Sequence, residues 1–135
     1  MRIFRQSMIA LAALVLLSAS ADAAERYEGA WVTSVKECGK EGWTSLTVID
    51  LKVMIHGKPR PMVDQYENHC FIDRKSTTGN ETTLAMTCYE FWDAYKKKVD
   101  SRKATIKLSL GPKDTLKIDG KVHHRCPETA AKKRT

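Results

Sequence analysis

Asp64, Glu67 and His69 fall within six residues, a spacing at which carboxylates and an imidazole can share one surface and move a proton to or from a bound molecule. Hydrolysis by such a set also needs a nucleophile or a metal. The sequence has no G-x-S-x-G, no H-E-x-x-H and no glycine loop of the phosphate-cradling kind, so no catalytic residue is assigned and the protein is read as a non-enzyme. His123 and His124 are adjacent, and neighbours on a strand point to opposite faces, so they do not chelate one ion together. His56 and His69 lie in distant segments, and neither a metal site nor a cofactor is expected. The sequon Asn80-Glu81-Thr82 overlaps a predicted hairpin loop in a bacterial-type export context and is not expected to carry sugar.

The most suggestive surface is Tyr89, Phe91, Trp92 and Tyr95, followed by Lys96, Lys97 and Lys98. Aromatic rings beside ammonium groups bind sugars, lipid head groups or protein partners, because the rings stack or bury while the cations attract anions. The competing reading is that Phe91 and Trp92 cap one end of a barrel.

The four cysteines, Cys38, Cys70, Cys88 and Cys126, include no C-x-x-C pair, which argues against zinc and redox roles. An even count in an exported domain of this size implies two disulfides, with three pairings open. Cys70 to Ser76 and Glu81 to Cys88 flank the turn sequence Thr78-Gly79-Asn80. Folding this hairpin about Gly79 sets Cys70 opposite Cys88, within reach of a sulfur bridge. Cys38 then pairs with Cys126 by elimination.

The elements that must position these groups are short strands. Tyr27 to Ser34, Thr44 to Ile49 and Leu51 to Ile55 have strand composition, and Pro59 and Pro61 argue against a sheet interior between them and the cysteine hairpin. Within that hairpin Cys70, Ile72, Leu84, Met86 and Cys88 form the core face. Ile106, Leu108 and Leu110 alternate, Gly111 to Asp114 turns, and Leu116 and Ile118 continue the face. A three-residue loop 119–121 is expected to set Ile118 opposite Val122 and Leu116 opposite His124, with the last strand ending at Cys126. Tyr89 to Lys98 suits either two helical turns or a strand and turn. The fold class is all-β: a small antiparallel β-barrel or two-sheet sandwich of six to eight short strands.

The chain has 135 residues, 42% of them hydrophobic and 29% charged, with seven glycines. These values exclude a multidomain enzyme, a collagen-like fibre and wholesale disorder. Arg2, Arg5, the apolar run Ile9 to Leu17 and Ala21-Asp22-Ala23 read as a signal peptide over residues 1–23. The run is too short to span a bilayer. A single β domain over 24–126 and a basic, disordered tail over 127–135 follow. Cleavage removes two basic residues and one acidic one, which takes the formal charge from +7 to +6. A periplasmic or secreted basic protein meets envelope or host proteins and anionic polymers. Nucleic acid is not expected, since no reading module is present. The oligomeric state is left open.

Gly29-x-Trp31, Cys38, Tyr66-Glu67-x-x-Cys70, Thr87-Cys88 and Arg125-Cys126 together resemble small exported proteins of unassigned function from proteobacteria. This resemblance implies a disulfide-stapled β fold rather than an activity. A looser similarity links the chain to the periplasmic inhibitors of c-type lysozyme, also small disulfide-bonded β-barrels, whose Ser-Gly-x-x-Tyr loop has no counterpart here. The expected function is an exported, non-catalytic interaction module for a protein or an anionic envelope component. The alternatives are a small apolar-ligand carrier and a minor hydrolase.

Overall fold

Eight segments each turn apolar residues inward, most of them by alternation, and in the computed structural model those segments close on themselves. The structure describes residues 26–39 and 45–128. The strands are β1 (Gly29–Val32), β2 (Thr47–Asp50), β3 (Met54–Ile55), β4 (Lys58–Pro59), β5 (Met62–Gln65), β6 (Asn68–Thr78), β7 (Glu81–Tyr89), β8 (Arg102–Leu110), β9 (Thr115–Ile118) and β10 (Lys121–Arg125). A 3-10 turn covers Val35–Glu37, and one short helix, α1, covers Trp92–Lys97. Eight strands form a closed antiparallel barrel in the order β1-β10-β9-β8-β7-β6-β5-β2, while β3 and β4 make a separate ribbon. The signal-peptide segment and residues 129–135 of the tail lie outside the described residues. No helix among the described residues is long and apolar enough to cross a membrane.

The barrel interior is filled. Trp31, Ile49, Val63, Cys70, Leu84, Met86, Cys88, Leu108 and Leu116 are buried together in one cluster, removing apolar area from water at about 25 cal/mol per Å². Both disulfides form as expected, Cys70 with Cys88 inside the barrel and Cys38 with Cys126 outside it. The second bond fastens the 33–39 segment over β1, where Ala30, Val32, Leu46 and Cys126 make a second apolar cluster.

Gly29, Trp31 and Arg125 lock one another at the barrel mouth. Arg125 lies 4.2 Å over the Trp31 ring and donates to the Glu28 carbonyl at 2.6 Å. A Cβ on Gly29 would stand 2.6 Å from the Arg125 guanidinium, and the φ of +138° at this position also favours glycine.

Several strand expectations are corrected. The last hairpin turns on two residues, Asp119 and Gly120, with φ of 48° and 82°, the left-handed pair that a tight hairpin needs. Lys121 therefore faces Ile118 and His123 faces Leu116, so His123 is the inward histidine. The cysteine hairpin likewise turns on Gly79-Asn80, with Thr78 opposite Glu81. A bulge between Ile72 and Arg74 shifts the register by one and brings Cys70 back opposite Cys88. Leu51 to Ile55 is not a continuous strand, because only Met54–Ile55 pairs, with Lys58–Pro59. Instead Met62–Gln65 enters the barrel between β2 and β6, a strand the prolines obscured.

Tyr27 packs in the barrel core, and its hydroxyl has no hydrogen-bond partner among the described residues. Burial, and then the nearby Glu28 charge, raise its phenol above the ordinary value of 10.0. A raised folded value means that the neutral phenol supports folding below pH 10, and that this support is lost as pH rises through the folded value. Tyr27→Phe is expected to leave stability at pH 7 unchanged, or to raise it by up to about 1 kcal/mol. The variant should also unfold less readily above pH 10, as read by urea titrations at pH 7 and in the alkaline range.

Candidate functional site: an aromatic ledge on the barrel wall

Because Cys70 points inward, its neighbours His69 and Phe71 point outward, as do Asp64 and Met62 across the β5–β6 pair. An outward Phe71 would sit in water. It is instead 1% exposed, since α1 folds back over it. The Tyr95 ring stacks on Phe71 with centroids 4.5 Å apart, Tyr89 meets Phe71 edge-on at 6.2 Å, and the Arg60 guanidinium lies 4.9 Å from its ring centre. Trp92 stacks on His69 at 4.5 Å.

Six residues are too few for a helix to hold by itself. Tyr95, packed against Phe71 and Tyr89, ties this one down, and Asp93 in the first turn with Lys96 and Lys97 in the last complements its dipole. Lys98 ends it in the left-handed conformation, with φ 53°.

The predicted cluster therefore divides. Tyr89 and Tyr95 are half-buried and pack on the wall, while Phe91 and Trp92 are 55% and 41% exposed. Lys96, Lys97 and Lys98 are exposed beside them, with a 3.8 Å contact from Lys96 to Asp93. Phe91 and Trp92 therefore do not cap an end of the barrel: Trp92 lies on the outer wall against His69, and Phe91 is more exposed still. Phe71, which holds the ledge from beneath, and Arg60, which lies against its ring, were missed. Strand parity about Cys70 was the available signal, because an aromatic on the outward face of a half-buried sheet calls for a covering element.

Asp64 and His69 face each other across the hairpin, with Asp64 Oδ1 2.6 Å from His69 Nδ1. Glu67 sits in the connecting turn with φ 49° and joins neither. The His69 side chain makes no other hydrogen bond among the described residues, so the pair braces the ring beneath Trp92. No three His, Cys, Asp or Glu side chains among the described residues gather as metal ligands. His123 is buried, with Nδ1 2.8 Å from the Lys121 carbonyl.

Further along the wall, Thr87 donates to Asp73 at 2.6 Å. This bond, assisted by Lys103, holds the Asp73 carboxyl below its ordinary value. No protein-family model, curated protein or solved structure matches the chain.

Proposed function

We propose that the protein is an exported binding module that engages an anionic component of the cell envelope through the aromatic ledge. The observation that carries this reading is the exposed pair Phe91 and Trp92 beside Lys96, Lys97 and Lys98, on a short helix and its caps held to the wall by Tyr95 on Phe71 and by one face of Trp92 on His69. Rings held in place lose little freedom on contact, and lysines beside them add attraction to an anionic surface. Two disulfides and the export-type leader support a location outside the cytoplasm. The reading is non-catalytic: His69 is hydrogen-bonded to Asp64 and covered by Trp92, and no nucleophile among the described residues bonds to it. An apolar-ligand carrier is less well supported, since side chains occupy the barrel interior.

Sedimentation of the oxidised chain 24–135 with vesicles tests this. Vesicles rich in phosphatidylglycerol are expected to bind it at low salt and release it at high salt, whereas phosphatidylcholine vesicles do not bind it. Soluble anionic polysaccharide, added as competitor, tells a lipid target from a polymer one. Trp92→Ala combined with Lys96→Ala, Lys97→Ala and Lys98→Ala should weaken binding by about 100-fold, each lysine near an anionic surface contributing about 1 kcal/mol. Equal binding by this variant, or no binding to either anionic material, rejects the proposal.

A further inference from the structure

We propose that the far half of β6, Arg74 to Thr78, is an open sheet edge that takes up an extended acidic segment of a partner protein as an added strand. This surface is separate from the aromatic ledge. β5 pairs with β6 only from Asn68 to Phe71, and the last backbone bond on that side runs from the Ile72 N–H to the Pro61 carbonyl at 2.9 Å. β6 continues to Thr78, paired with β7 alone. The bulge at Asp73 marks the point of departure, since a bulge bends and twists its strand away from a neighbour.

In an antiparallel ladder alternate residues turn their N–H and C=O groups to the opposite edge. Between Arg74 and Thr78 these groups meet no other backbone among the described residues, and all five residues are exposed. A free row of this kind is a template for another strand.

Charge selects the occupant. Arg74 and Lys75 stand on the edge, where a second copy would bring the same two cations and be repelled. The nearby acids are engaged, Asp73 with Lys103 at 3.4 Å and Glu81 with Lys107 at 3.5 Å. Arg74, Lys75 and Arg26 have no carboxylate partner among the described residues. An acidic segment supplies one.

Beside the edge lies a cleft of about 260 Å³ lined by Arg26, Tyr27, Thr77, Thr82, Leu108 and Leu110 among others. Thr77 belongs to both edge and cleft, so an added strand places every second side chain toward it. Tyr27, the one side chain among the described residues with a buried polar atom lacking a partner, lines this cleft. Leu108 and Leu110 give it an apolar side. Lys75 shares the Thr77 side of β6 and Arg74 takes the other, so the partner segment carries acidic residues on both faces, with an apolar residue where it meets Leu108 and Leu110.

A fluorescein-labelled peptide of glutamates interrupted by a single valine tests the assignment by anisotropy against the oxidised protein. Binding is expected, with slowed amide exchange within Arg74 to Thr78. Methylating the backbone nitrogen of every second residue of the peptide keeps its charge but removes one row of donors, and should weaken binding at least about tenfold. Arg74→Glu with Lys75→Glu should do the same, while the Trp92, Lys96, Lys97, Lys98 alanine variant binds the peptide as the native protein does. That last comparison keeps failure of this site distinct from failure of the ledge. No binding, unchanged exchange at Arg74 to Thr78, or equal affinity of the methylated peptide would each overturn the proposal, the last reducing it to undirected charge attraction.

Discussion

Replacing Cys38 and Cys126 together with alanine is expected to lower stability by about 4.5 kcal/mol, against about 3 kcal/mol for the same replacement of Cys70 and Cys88. The difference follows from the chain each bond closes: the residues are 88 apart in the first pair and 18 in the second. The longer loop has more freedom to lose when it is tied in the unfolded state. The Cys38–Cys126 bond also holds the 33–39 segment against Ala30, Val32 and Leu46. Its removal should therefore raise amide exchange locally in 33–39 before global unfolding sets in. Small domains have only about 5 to 15 kcal/mol in total, so the first variant is expected to be partly unfolded at 37 °C. Urea denaturation of the two double variants and the native protein measures both losses. A larger loss from Cys70 and Cys88 would show that packing inside the barrel, where both are buried, outweighs loop closure.

The same two bonds show how far the sequence could be read. The Cys70–Cys88 pairing was legible because the hairpin is local and its turn is marked by Gly79. It was nevertheless reached through two departures that cancel. The turn is one residue shorter than expected, which alone would set Cys70 opposite Tyr89, and the bulge at Asp73 restores the register. Bulges leave little trace in an apolar pattern, since one extra exposed residue such as Asp73 looks like any loop-ward strand end. In the last hairpin no bulge intervenes, so the same misjudged turn length carried through and exchanged His123 for His124 opposite Leu116.

β5 was illegible for a different reason. Met62 and Val63 are both buried, Met62 on the outer face beside Phe71 and Val63 inside the barrel, so the strand lacks the alternation that betrays a one-sided sheet. The candidate site was half legible: Tyr89 to Lys98 announced itself by composition, while its foundation on β5 and β6 depends on pairings between distant segments. Strand parity about an inward Cys70 was enough to place Phe71 on the outer wall, but it could not say what covers the ring.

Phe71 is where stability and the proposed binding surface meet, and Phe71→Ala is expected to lower stability by about 3 to 5 kcal/mol, the range for truncating a buried ring. The ring lies outside the barrel, so the interior cluster around Trp31 and Leu84 should stay intact and the variant should keep its far-ultraviolet circular dichroism. What it loses is the stack with Tyr95 and the edge contact with Tyr89, the contacts that hold α1. Vesicle binding should then weaken even though Phe91, Trp92 and the three lysines are all present, because a loosened helix must be ordered on contact. Phe71→Leu, which keeps apolar volume but not the stack, should lie between the native protein and Phe71→Ala in both measurements. A double-mutant cycle with Tyr95→Ala isolates the stack, for which a coupling of about 0.5 to 1.5 kcal/mol is expected. If Phe71→Ala lost stability but kept full vesicle binding, α1 would not need its dock to present Trp92 and the lysines, and the ledge would act as a flexible arm instead of a fixed surface. If it kept its stability as well, the ring would not be the anchor that its burial and its stack with Tyr95 indicate.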